Sequence, residues 1–292
     1  MVDRSYGYRL FTAVNTILLL TLSIGCVLPL VHILAVALSG KSAATANLVY
    51  LWPVDFTLEA FAKTLSNDKF SHSLFISVQR TLLGTGAFLV IAALTAYPLS
   101  KESRSFKGRG LYAWFFVFTM LFSGGLVPSY ILVMRLGLNN SLWALVLPVA
   151  VEVWSIILLL NFFRNIPKEL EEASLIDGAG HFTTMLRIYL PLSLPALATL
   201  SLFTMVFHWN EWFMGMIYNT NSDNYPLATL LQTIIVQQDF TKLAMNPEAV
   251  EDITNRTVKA AQIFIGAVPI LLVYPFLQRF FVKGIVLGAV KE

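Results

Sequence analysis

Six nearly unbroken apolar runs, at about 11–38, 74–99, 111–134, 142–163, 190–213 and 260–278, alternate with polar segments along this chain. A bilayer core of roughly 30 Å is crossed by about 20 consecutive apolar residues in a helix, and each run reaches that length. The pattern predicts an all-α membrane protein with six transmembrane helices, read as a single transmembrane domain over 1–292. The first run is too long for a removable signal peptide and lacks a small-residue cleavage site, so a retained helix is expected there. Gly124-Gly125 and Pro128 interrupt the third run. They predict a break, with a separate outer segment from Tyr130 to Leu136, because freed backbone groups at membrane depth need neighbours to satisfy them.

The polar segments add orientation and surface. With the N-terminus inside, 12 of the 20 Lys and Arg residues fall on inner segments and 8 on outer ones. The dense run Lys101, Arg104, Lys107 and Arg109 decides the matter under the positive-inside bias. Both termini and the 164–190 segment are then expected to be cytoplasmic. The outer loop at about 39–73 carries an amphipathic stretch, Leu58 to Leu65, suited to lying along lipid. A longer outer loop, 219–257, holds a turn-rich entry, an apolar helical piece from Pro226 to Val236 and an acidic stretch around Glu248, Glu251 and Asp252. A plain connection needs only a few residues, so its length predicts an extracellular contact surface.

Composition agrees with this class. Hydrophobic residues make up 57% of the 292 and charged residues 13%, with a mean hydropathy of +0.70, whereas a soluble domain typically carries about 25% charged residues. The net charge of +3 gives no reason to expect nucleic acid. Cys26 is the single cysteine and excludes an internal disulfide. His32, His72, His181 and His208 are scattered without metal-ligand spacing, so no metal is expected. No glycine-rich phosphate loop is present; the chain is not expected to be an enzyme or to hold a cofactor.

Chemistry inside the membrane narrows to a few side chains. Glu152 lies about 16 Å along its run from Ser141 at 1.5 Å per residue, which predicts a mid-membrane carboxylate facing a cavity or a partner. Arg80 is the expected partner, with a sugar hydroxyl as the other acceptable one; a purely structural acid is the competing reading. Trp209, Asn210, Glu211 and Trp212 fall at the outer end of the fifth run. Aromatic rings can stack on sugar faces while Asn and Glu bind hydroxyls, so these residues are candidates for an outer gate; an ordinary aromatic belt is the alternative.

The segment after the fourth run carries the most specific pattern. Glu172-Ala173-Ser174, then Gly178 after three residues, then Ile188 and Leu190-Pro191, resembles the "EAA" loop of permease subunits in bacterial ATP-driven importers; Ser174 replaces the second alanine. The resemblance extends to 162–170, to Leu136–Ser141, to Trp209–Trp212 and to Tyr274–Gly284 with Gly288–Lys291, and it is similar in detail to the carbohydrate, maltose-permease-like group. It implies a type I importer permease fold with both termini cytoplasmic, working by alternating access in the bacterial cytoplasmic membrane as a multi-pass protein. Glu172, Ala173, Ser174, Asp177, Gly178, Ala179, Ile188, Leu190 and Pro191 would form the surface that docks an ATPase, and Lys283, Gly284 and Lys291 a C-terminal contact with it. The implied partners are a second permease in a heterodimer, two ATPases that bind ATP-Mg, an extracytoplasmic solute-binding protein, a sugar or oligosaccharide, and membrane lipid. A permease for a peptide or another small polar solute, and a secondary transporter, are the alternatives left open.

Overall fold

The computed structural model describes residues 6–102, 104–235 and 256–289, and all regular structure among them is helical. The elements are α1 (Tyr6–Ala37), α2 (Lys41–Thr45), α3 (Glu59–Leu65), α4 (Asp68–Ser100), α5 (Arg109–Leu121), α6 (Leu126–Arg135), α7 (Leu142–Val146), α8 (Val153–Arg164), α9 (Lys168–Ile176), α10 (His181–Thr184), α11 (Leu190–Leu192), α12 (Leu194–Asn210), α13 (Phe213–Tyr218), α14 (Leu227–Ile235) and α15 (Arg256–Ala289). Three helices, α1, α4 and α15, are long and apolar enough alone to cross a membrane. Three bent pairs bring the number of possible spans to six, one for each apolar run.

The bends have local causes. α5 and α6 meet at 111° across Phe122–Gly125, where Gly125 takes φ +87°, a left-handed conformation that glycine adopts without the Cβ penalty. The break falls where the glycines predict it, but α6 starts at Leu126 and includes Pro128 in its first turn, a position where a missing N–H costs little. The α7–α8 pair is bent by 53° and the pair 181–192 with 194–210 by 80°. Neither of these bends is expected from the apolar pattern, which runs through both. Pro191 and Pro195 flank the second, with Ser193 between them buried.

Packing divides the chain into two units, Met1–Ser71 with Thr233–Val268, and His72–Gln232 with Pro269–Glu292. The first has a core of small side chains: Ala35, Ala37, Ala43, Ala44, Ala60, Ala260 and Ala261 with Val36 and Val49. Small residues let backbones approach closely where lipid offers no hydrophobic drive to association. Phe61 and Phe264 close it edge to face at 6.3 Å, and the Arg256 guanidinium donates to the Ala44 carbonyl at 3.2 Å and to the Asn47 side chain. Most of α1 is exposed apolar surface.

The second unit is built around Phe88, Ala92, Ala96, Tyr97 and Leu99 of α4, Ile156, Leu159, Leu160 and Phe163 of α8, and Met185, Tyr189 and Leu200. Ala92 and Ala96 lie one turn apart, on one face of α4. Gly84 on the same helix makes room for His208: a Cβ there would stand 2.2 Å from Nε2. At one end of the unit Asn140, in the left-handed region at φ +56°, organises the turn after α13. Its Oδ1 accepts from the Thr220 amide at 2.7 Å and the Asn221 amide at 3.3 Å, and its carbonyl accepts from Asn224 Nδ2 at 3.1 Å. α14 matches the expected apolar piece; residues 236–255 of the longer loop, with its acidic stretch, lie outside the described residues.

Candidate functional site

The segment between α8 and α12 forms a helix-turn-helix excursion whose geometry follows from its sequence. Ile166 is buried as an anchor, Pro167 caps α9 with φ −55°, and Glu169 and Glu171 occupy the first turn, where the helix dipole favours acids. The helix ends in a Schellman motif: Ala179 N–H donates to the Ser174 carbonyl at 2.9 Å and Gly178 N–H to Leu175 at 3.1 Å. That closure requires a left-handed residue, and Gly178 supplies it at φ +81°. The glycine of the recognised spacing is therefore a helix stop.

The expected docking residues divide into two sets. Glu172, Ala173, Asp177, Gly178 and Pro191 are exposed. Ser174 faces inward instead, buried, with its hydroxyl 2.7 Å from Thr184 Oγ1; the serine that departs from the family pattern ties α9 to α10 and is not part of the outward face. Ile188 and Leu190 pack against the core cluster and Ala179 is half-buried, so these three brace the excursion. The sequence reading missed Leu175, Ile176 and Phe182, exposed apolar side chains on α9 and α10, of which Ile176 is 85% exposed. The apolar pair Leu175-Ile176, set in a polar stretch beside Asp177, was the available signal.

A second cluster was not expected at all. Lys101 Nζ lies 2.7 Å from Glu171 Oε1, and Tyr189 Oη donates to Glu171 Oε2 at 2.6 Å. The ammonium also sits 3.8 Å from the Tyr97 ring centre and 4.0 Å from that of Tyr189, rings that meet edge to face at 4.9 Å. Burial pushes the Glu171 carboxyl up, but hydrogen bonds from Lys101 and Tyr189 and the Lys101 charge outweigh it and hold the group below the ordinary glutamate range. Beside this cluster, Glu102 pairs with Lys168 on the surface.

Within the apolar part of the chain, the acid and base are arranged differently from expectation. Glu152 is exposed and caps α8, its two carboxylate oxygens accepting from Trp154 N at 3.1 Å and Ser155 N at 2.7 Å. It does not meet Arg80. A capping carboxylate satisfies helix amides that the α7–α8 bend leaves without partners, which removes the need for a cation. Arg80 is fully buried and donates to Glu211 through both terminal nitrogens, to the carbonyl and to Oε2, each at 2.6 Å. Glu211 Oε1 in turn accepts from Met214 N at 2.8 Å and caps α13.

Of the four residues expected to form a gate, Glu211 is thus saturated. Trp209 is buried among Val78, Leu82, Leu202 and Met205 in an apolar cavity. Trp212 is half-buried, its carbonyl accepting from Thr229 at 2.8 Å, and only Asn210 is exposed. His208 packs beside them, and neither ring nitrogen meets a hydrogen-bond partner among the described residues. Lys283 and Gly284 lie on α15, and Lys291 lies outside the described residues. No cluster of three metal-ligating side chains occurs among the described residues.

Comparison with known proteins fits this architecture. The family model "Binding-protein-dependent transport system inner membrane component" matches residues 88–286. The polygalacturonan/rhamnogalacturonan transport system permease protein YtcP of Bacillus subtilis is 39% identical, covering 97% of this chain and 99% of that protein. Protein LplC of the same organism is 37% identical, covering 97% and 95%. A crystal structure of a bacterial ABC transporter involved in the import of the acidic polysaccharide alginate superposes with a TM-score of 0.86 at 30% identity, covering 96% of this chain and all of that one. The chain belongs to the family of inner membrane components of binding-protein-dependent transport systems.

Proposed function

We propose that this chain is the permease subunit of an ATP-driven importer in a bacterial cytoplasmic membrane, moving a carbohydrate by alternating access. One observation carries the coupling part of the reading: α9 projects as a short, firmly closed helix with Ile176 at 85% exposure and with Glu172 and Asp177 exposed on the same helix and its cap. An apolar side chain rimmed by charge on a short helix suits insertion into a cleft of a soluble partner. The partner is an ATPase, one of two, which binds ATP-Mg; the permease itself does no chemistry. A second permease and an extracytoplasmic solute-binding protein complete the assembly. The docking face and the Lys101–Arg109 run face the cytoplasm.

The substrate class is supported by relatives. YtcP carries polygalacturonan or rhamnogalacturonan in its name, and the alginate transporter handles an acidic polysaccharide. We therefore assign an acidic oligosaccharide ahead of a neutral one. Arg80 does not supply the cationic contact, because Glu211 neutralises it. The test is ATPase stimulation in the reconstituted importer by oligogalacturonides, by alginate oligosaccharides and by maltodextrins, each with its binding protein. Stimulation by either acidic series supports the assignment; stimulation by maltodextrins alone overturns it.

A further inference from the structure

We propose that Lys101 is a positioning residue for energy coupling, fastening the docking helix α9 to the adjoining end of α4. The inference rests on the docking role assigned to α9. Lys101 follows directly on α4, and its ammonium makes three contacts at once: Glu171 of α9 at 2.7 Å, and the faces of Tyr97 and Tyr189 at 3.8 and 4.0 Å. Tyr97 belongs to α4 and Tyr189 to the stretch leading into α12, so one charge holds three segments together. Tyr189 also donates to the second oxygen of Glu171 at 2.6 Å, which fixes the carboxylate in orientation as well as in place. The side chains of Lys101 and Glu171 are only 10% and 17% exposed. A desolvated, oriented pair is screened far less than a surface ion pair, and a cation held between aromatic faces gains further when removed from water.

This geometry matters because α9 is short, running only from Lys168 to Ile176. Without a fastening, a push on Ile176 would tilt the excursion about its connections and be absorbed there. With Lys101 in place the push reaches α4, which runs about 31 Å, at 1.5 Å per residue, from Lys101 to Arg80. There Arg80 grips Glu211 at the α12–α13 break. One continuous helix thus links the docking surface to the point where α12 ends and α13 begins.

The experiment uses the full importer, in a Cys26→Ser background, with spin labels at the exposed residues Val90 on α4 and Phe203 on α12. Three quantities are read: co-purification of the ATPases, trapping of nucleotide by vanadate, and the change in label separation when ATP and vanadate are added. Lys101→Met is expected to retain the ATPases and to trap nucleotide, while the separation change falls at least five-fold. Lys101→Arg, which keeps the charge and the ring contacts, restores it, and Glu171→Gln behaves as Lys101→Met does. A full separation change in Lys101→Met with normal trapping overturns the proposal, as does loss in Lys101→Arg equal to that in Lys101→Met. If the parent protein retains no ATPase, the docking role itself fails and the proposal falls with it.

Discussion

Arg80 and Glu211, separated by 131 residues, meet at 2.6 Å with the arginine fully buried. The contact joins α4 to the turn between α12 and α13, and Glu211 spends its other oxygen on the first turn of α13. An acid and a base that satisfy one another this completely form a joint. Removing one partner leaves an unpaired buried charge, which typically costs about 3–5 kcal/mol. Arg80→Met should therefore lower the thermal midpoint of the detergent-solubilised protein markedly. Arg80→Met combined with Glu211→Gln should recover part of that loss, and additive losses in the two single variants and the double would contradict the pairing.

The exposed tip of α9 makes a separate prediction. Ile176→Asp should change the stability of the chain by no more than about 0.5 kcal/mol, as for exposed substitutions generally. The same variant should release the ATPases during purification. Ser174→Val should do the opposite: the outward face is untouched, but Thr184 keeps only the Gly180 carbonyl and loses the Ser174 hydroxyl at 2.7 Å, and the excursion should loosen by about 1 kcal/mol. Hydrogen exchange over 168–184 reads that difference.

Gly84 and His208 form a shape pair. Since a Cβ at 84 would stand 2.2 Å from the imidazole, Gly84→Ala should destabilise the protein by about 1–3 kcal/mol through overpacking. Removing the ring should relieve it, so Gly84→Ala with His208→Ala should be more stable than Gly84→Ala alone. Thermal denaturation of the three variants decides the point.

A pH dependence follows from Glu171. Burial raises its pKa, yet hydrogen bonds from Lys101 and Tyr189, with the Lys101 charge, hold it below the unfolded value. A carboxyl with a depressed folded pKa contributes stability that is fully present above the unfolded pKa and is lost as pH falls through the folded one. Acidification below the ordinary glutamate range should therefore weaken the attachment of α9, and Glu171→Gln should flatten that part of the stability profile. An unchanged acid limb in Glu171→Gln would remove Glu171 from the account.

Much of the fold was readable because membrane spans are long and apolar, and all six runs reappear as helices or bent pairs. The α5–α6 break was readable too, since Gly125 has to adopt a positive φ. The bends at Glu152 and Ser193 were not, because a capping carboxylate and a turn between prolines interrupt a helix without changing its apolar composition. Within the 164–190 excursion, the spacing gives a short helix but not which of its sides faces out. Ser174 and Ala173 are neighbours of similar size, and only the hydrogen bond to Thr184 shows which one turns inward. Lys101 and Glu171 are 70 positions apart with no shared motif, so their meeting depends on tertiary packing alone. Arg80 was assigned the wrong acid for the same reason: Glu152 found its partners in local amides.

The most direct test of the central claim is the mass of the intact assembly after gentle extraction with its operon neighbours co-expressed. One copy of this chain with one second permease and two ATPases is the predicted composition. A chain that purifies alone, retaining no ATPase in any detergent or lipid, would contradict it.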